Sequence, residues 1–102
     1  PVVAVDKGGH SYWTSMTIPL GPSGGPNSIG ALSDVIKVTG MVVRDTAGDY
    51  DFDWHPSPAR QFVVNLDGPV RIEVSDGTSK VLEAGEMFLL EDTWGHGHKS
   101  TA

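Results

Sequence analysis

The chain of 102 residues contains no cysteine, which removes disulfide frameworks, zinc ribbons and thiol nucleophiles together. Cations are scarce: seven Lys and Arg stand against 13 Asp and Glu, a net charge of −6. That balance argues against phosphate backbones and anionic membranes, so neither nucleic acid nor membrane is an expected partner. No apolar run exceeds five residues. Nothing therefore spans a bilayer as a helix, no signal peptide is visible, and a cytoplasmic location is the expectation. Helical periodicity is missing too, since apolar residues never hold a 3.6-residue period for three turns. With 38% hydrophobic residues, the chain can build one modest core and not two, so a single domain over 1–102 is expected.

Turn formers are plentiful: 13 Gly and seven Pro make roughly a fifth of the chain, which favours short strands over long helices. Ser11-Tyr-Trp-Thr-Ser-Met-Thr-Ile18 is rich in aromatic and β-branched residues and reads as a strand. Residues 19–30, with four Gly and three Pro, read as an irregular arm. Val35–Val43 reads as a strand bent at Gly40. Gln61–Leu66 leads into the turn Asp67-Gly68, and the strictly alternating Val70–Ser75 leads into Asp76-Gly77. Ser79–Glu83 and Met87–Leu90 follow, joined at Ala84-Gly85. The pattern predicts an all-β sandwich or small barrel, with 1–30 as an N-terminal strand and arm and 31–102 as the core. Val63, Ile72, Val74, Phe88 and Leu90 are expected inside, with Arg71 and Glu73 on the wetter face.

Several motifs fail on inspection. Asp49-x-Asp51-x-Asp53 opens like a calcium loop, but its sixth position is Trp54 and its twelfth Arg60, where Gly and Glu are required. It reads instead as an acidic strand edge. Ser11, Ser15 and Ser33 lack a nucleophile-elbow context, and Gly24-Gly25 lacks the lysine and helix of a phosphate cradle.

The histidines carry more. His96-Gly97-His98 is an i, i+2 pair, and on an extended strand both imidazoles point the same way. Facing a third imidazole, they would make a common kind of divalent metal site; the alternative is a polar, glycine-loosened turn with solvated imidazoles. His10 is expected at the surface.

The segment His55–Gly68, HPSPARQFVVNLDG, resembles the first motif of the cupin superfamily, and Gly85 to His96 fits the spacing of the second. More specifically, Trp54-His55-x-x-Pro58-x-Arg60-Gln61-Phe62 and Gly85-Glu86-x-x-x-x-Glu91-Asp92-Thr93-x-Gly95-x-Gly97-His98 resemble the paired signatures of a subgroup of small single-domain cupins. The likeness covers about residues 28–100 and its last His falls at His98. It implies a jelly-roll β-barrel, with a closing strand either absent from this chain or supplied by a partner. A homodimer is the corresponding expectation.

The resemblance also implies a metal set of two His and a Glu from the first motif and one His from the second. Here Ser57 stands for the second His and Gln61 for the Glu. His55, His96 and His98, with Gln61 as a weak fourth ligand, would restore a site for one divalent ion such as zinc, iron, manganese or nickel. No organic cofactor is expected. His55 and His98 are the candidate catalytic residues, entering from the strand before Gln61 and the strand after the Glu91–Gly97 turn. Trp54 and Trp94 are either walls of a ligand cavity or ordinary barrel core, and Phe62 is a core residue. Gln61 and Asn65 are candidate inward-facing polar contacts. Arg60 is either a clamp for a substrate carboxylate or half of an ion pair with Asp51, Asp53 or Glu91. Glu91 and Asp92 read either as a solvated turn or, if one carboxylate is desolvated near a His, as a source of a general base.

Two classes of function follow. One is a small-molecule enzyme of lyase or isomerase type, performing elimination, isomerisation or decarboxylation without redox chemistry. The other is a non-catalytic module that binds a small molecule. A metal-dependent dioxygenase is a variant that the Gln61 position disfavours.

Overall fold

The computed structural model describes residues 1–22 and 30–102, and among these the protein is all-β with no helix. Ten strands follow one another: β1 (Val2–Val5), β2 (Ser11–Thr14), β3 (Leu20–Pro22), β4 (Ala31–Ser33), β5 (Asp51–His55), β6 (Gln61–Val64), β7 (Val70–Glu73), β8 (Ser79–Leu82), β9 (Met87–Leu90) and β10 (His98–Thr101). They fall into two compact units, one of Pro1–Ser15 with Thr46–Ala102 and one of Met16–Asp45. Val2–Val5 belongs to a sheet of the first unit, and residues 31–45 belong to the second unit.

The first unit holds two four-stranded sheets, ordered β2-β1-β9-β6 and β5-β10-β7-β8. All pairings are antiparallel except β1 with β9. No ladder joins the two sheets among the described residues, so the pairing does not close a barrel. Period-2 alternation puts Val3, Phe88 and Leu90 of one sheet against Ile72, Val74 and Leu82 from the other, and these six form the core. Val63 is only half-buried at its margin. Phe62 is also half-buried and lies outside that core, because its neighbour Val63 takes the inward parity on β6. Arg71 is exposed and Glu73 half-exposed, as the alternation in β7 requires.

The turn after β7 shows why its sequence works. Gly77 sits at φ +87°, a left-handed conformation that glycine enters without steric penalty. Asp76 accepts both the Thr78 backbone N–H (2.9 Å) and its hydroxyl (2.6 Å). Thr78 holds the Asp76 carboxyl below its ordinary value of 3.8, first through that hydroxyl and then through the backbone bond.

The second unit carries the β3–β4 ladder, which pairs Leu20 with Ser33. Leu20–Pro22 is therefore strand where an irregular arm was expected, and residues 23–29 of that arm lie outside the described residues. Val35–Val43 is not strand, and Val35, Met41 and Val42 are each more than four-fifths exposed. β-propensity becomes a strand only where a neighbour takes up the backbone bonds, and none of the described residues does so here. The strand expected over Ser11–Ile18 stops at Thr14. No helix among the described residues is long and apolar enough to cross a membrane.

Candidate functional site

The site begins with an irregularity in the β5–β10 ladder. His98 pairs with His55, but Ser100 pairs with Phe52, so three steps on β5 answer two on β10. This is a β-bulge, a device that re-aims side chains. It lets Phe52 and His55 share one side of the strand, with ring centroids 4.0 Å apart. His98 and Ser100, two residues apart on β10, are both buried, whereas Lys99 and Thr101 are half-buried.

His55 and His98 converge across the ladder, with ring centroids 4.6 Å apart and planes tilted by 57°. The Asp53 carbonyl lies 2.7 Å from Nδ1 of His55, and a carbonyl can only accept, so Nδ1 carries the hydrogen. Nδ1 of His98 donates to Oδ2 of Asp92 at 2.6 Å. Donation at Nδ1 leaves Nε2 as the basic nitrogen of each neutral ring. Neither Nε2 has a hydrogen-bond partner among the described residues.

Asp92 is fully buried and His98 is 3% exposed. Asp92 thus takes the desolvated alternative in place of the solvated one, while Glu91 stays half-exposed. The cause is long-range: Ser57 N–H, itself buried, donates to the Asp92 carbonyl (2.9 Å) and Glu91 N–H donates to the Val3 carbonyl (2.8 Å), which pins the loop to the β5–β6 connection and to β1. The second carboxylate oxygen of Asp92, Oδ1, is buried without a partner among the described residues. A desolvated acceptor of this kind marks a place where a donor is wanted.

His96 does not join the pair. Gly97 adopts φ +80°, so the stretch His96–His98 is not extended and the expected i, i+2 alignment fails. His96 is exposed and stacked on Trp54 (4.3 Å, 20°), and its Nδ1 lies 3.1 Å from the Ser75 hydroxyl. Trp54 is half-buried against His96, and Trp94 is 51% exposed. Gln61 is exposed on β6, in the other sheet. Asn65 is occupied structurally: its amide nitrogen donates to the carbonyls of Gly68 and Leu82, each at 2.8 Å, tying β8 to the turn after β6. Arg60 forms an exposed ion pair with Glu91 at 2.7 Å, one of the two roles expected of it. His10 is exposed.

The three-His set with Gln61 is therefore not assembled, and no group of three His, Cys, Asp or Glu among the described residues is placed to hold a metal. What is assembled is a carboxylate and two imidazoles in a row, extended by rings. Phe52 continues from His55, and Tyr50 lies 6.3 Å beyond Phe52 with its hydroxyl 2.9 Å from that of Ser100. Tyr50, Phe52 and Ser100 were not read from the sequence. The signal available was Ser100 at i+2 from His98.

The chain matches no family model, no curated protein and no solved structure.

Proposed function

We propose that the protein is a small cupin enzyme that moves a proton on a small organic substrate without redox chemistry, in the manner of a lyase or isomerase. The observation that carries this reading is the buried His98–Asp92 pair facing His55. Nε2 of His98 takes a proton from carbon beside a carbonyl, and Asp92 stabilises the imidazolium that forms. His55, when protonated, delivers a proton to a neighbouring carbon or to a leaving group. Removal and return at different carbons is an isomerisation, and loss of a leaving group is an elimination.

The strand order supports the cupin part of the proposal. β5, β7, β8 and β10 lie in one sheet and β6 and β9 in the other, so the chain passes back and forth between layers as in a jelly roll. Among the described residues β6 is paired on one side only, and such an edge suits a homodimer.

A divalent ion is a second reading, favoured by the committed Nδ1 atoms of His55 and His98, since ligating imidazoles are commonly fixed through their other nitrogen. These two residues would hold the ion, and it would polarise a substrate carbonyl. His96 and Gln61 do not fit it, and the acid–base steps above do not pass through it.

The test is deuterium exchange from D2O into enolisable ketones, followed by proton NMR. Exchange should exceed that of free imidazole at equal concentration and fall about a hundredfold or more in His98→Ala. Equal exchange in the two proteins would refute the reading. Metal analysis of purified protein and of His55→Ala tests the second reading.

A further inference from the structure

We infer that two copies of the chain join through β6, antiparallel across a two-fold axis at Val63, so that the β2-β1-β9-β6 sheet of one copy continues into that of the other. The inference rests on the homodimer part of the reading above and not on the proton transfer. It gives that dimer a surface and a register.

The choice of strand follows from comparing the four sheet edges, β2, β6, β5 and β8. An exposed edge accepts another strand unless charge or a covering group blocks it. β5 carries Asp51 and Asp53, and β8 carries Lys80. Across a two-fold axis either strand would meet its own charges in its mate. β2 is uncharged, but its first residue is taken. Ser11 N–H donates to the Ser75 hydroxyl (2.8 Å), and the Ser11 carbonyl accepts from Ser75 N–H (3.2 Å). β6 carries no charge, and nothing among the described residues bonds to its free side. A chain of net charge −6 can meet itself there without apposing two anions.

The backbone is set for this pairing. Asn65 N–H donates to the Glu86 carbonyl (2.9 Å), so residues 61, 63 and 65 bond toward β9, while Phe62 and Val64 turn their backbone groups to the open side. Pairing Phe62 of each copy with Val64 of the other satisfies those outward groups in both copies.

Side chains favour the same contact. Phe62 and Val64 lie opposite Leu89 and Met87 on the outward side of the sheet, because Val63 and Phe88 face the core. Val64 is 53% exposed, Met87 43%, and Leu66, just past the strand, 75%. Apolar surface thus flanks the open edge, and the joined sheet sets Phe62 beside Val64 as a cross-strand pair. So short an edge falls at the low end of interface sizes, which makes the dimer weak and concentration-dependent.

Sedimentation velocity tests the surface. Wild type should pass from monomer to dimer between about 1 µM and about 500 µM. Val64→Pro removes an N–H that faces the open side, a loss an edge strand tolerates, and Val64→Lys guards the edge with charge. Both should stay monomeric and keep the His98-dependent deuterium exchange of wild type per chain. Two variants of different chemistry separate a broken interface from a misfolded chain.

Thiols read the register, because the chain has no cysteine of its own. Val63→Cys would meet itself across the axis at about 4.5 Å between Cα atoms, within disulfide reach, and should form a covalent dimer on mild oxidation. Val64→Cys would face its mate on a diagonal of about 7–8 Å and should not.

A wild type that stays monomeric throughout, or a dimer that persists in both Val64 variants, overturns the interface and leaves the exchange chemistry standing. Faster oxidation of Val64→Cys than of Val63→Cys overturns the register. A wild-type dimer of this register without exchange would instead overturn the proton-transfer reading and uphold the interface.

Discussion

The backbone carbonyl of His55 occupies the position that a side chain on Gly97 would need. A Cβ at 97 would overlap that carbonyl and the nitrogen of Pro56, and φ at this residue is +80°. The residue between His96 and His98 is therefore a spacer with no side chain, and it sets how closely β10 approaches β5. Gly97→Ala should destabilise the protein by about 2–4 kcal/mol, combining left-handed strain with a backbone clash. Urea unfolding measures this, and a loss under about 0.5 kcal/mol would show that the strands part easily.

The His98–Asp92 pair is the most consequential polar contact in the first unit. Removing Asp92 leaves the Nδ1–H of a buried imidazole without its acceptor, so Asp92→Ala should cost about 1–3 kcal/mol. Asp92→Asn keeps a side chain of similar shape but removes the charge, so it should fold better than Asp92→Ala and still lose exchange activity. Thermal melts beside the deuterium assay separate the two effects.

In β7, Ile72 is 3% exposed between Arg71 and Glu73. Ile72→Asp would place an unpaired carboxylate in the core and should cost several kcal/mol, about 3–5. A melting temperature like that of wild type would mean that the face assignment is inverted.

The depressed Asp76 carboxyl predicts a pH dependence of known sign. A carboxyl titrating lower when folded contributes stability that is present above its ordinary value of 3.8 and is lost as pH falls through the lowered value. Thr78→Val removes the hydroxyl donor that is the largest cause. NMR titration of Asp76 should find its midpoint below 3.8 in wild type and shifted upward in Thr78→Val. Identical midpoints would remove the Thr78 hydroxyl as the cause.

How much of this was legible depended on whether the signal was local. Val70–Ser75 alternates strictly and is followed by Asp-Gly, so β7, its buried side and the next turn could be read directly. Val35–Val43 offered equally good strand residues and failed, because propensity does not supply a partner. β1 is not legible, since Val2–Val5 is a short apolar run without alternation, and its place beside β9 is a pairing distant in sequence. Similar reasoning applies to the site. His55 and His98 could be placed by motif spacing. The burial of Asp92 could not, because Ser57 and Val3 hold its loop and neither lies near it in the chain. His96 departs from its expected place for the opposite reason: the i, i+2 rule assumes extended backbone, which Gly97 does not have.

The bulge in β5 makes residue count a property of the site. Because Phe52 and His55 stand three apart in sequence yet share a side, the lining of this edge depends on an odd interval that ordinary pleating would not allow. Substitutions between them would change what the lining is made of. Loss of a single residue there would do something different: it would restore the even rhythm of the strand and exchange its two faces. This stretch can therefore vary in chemistry far more readily than it can vary in length.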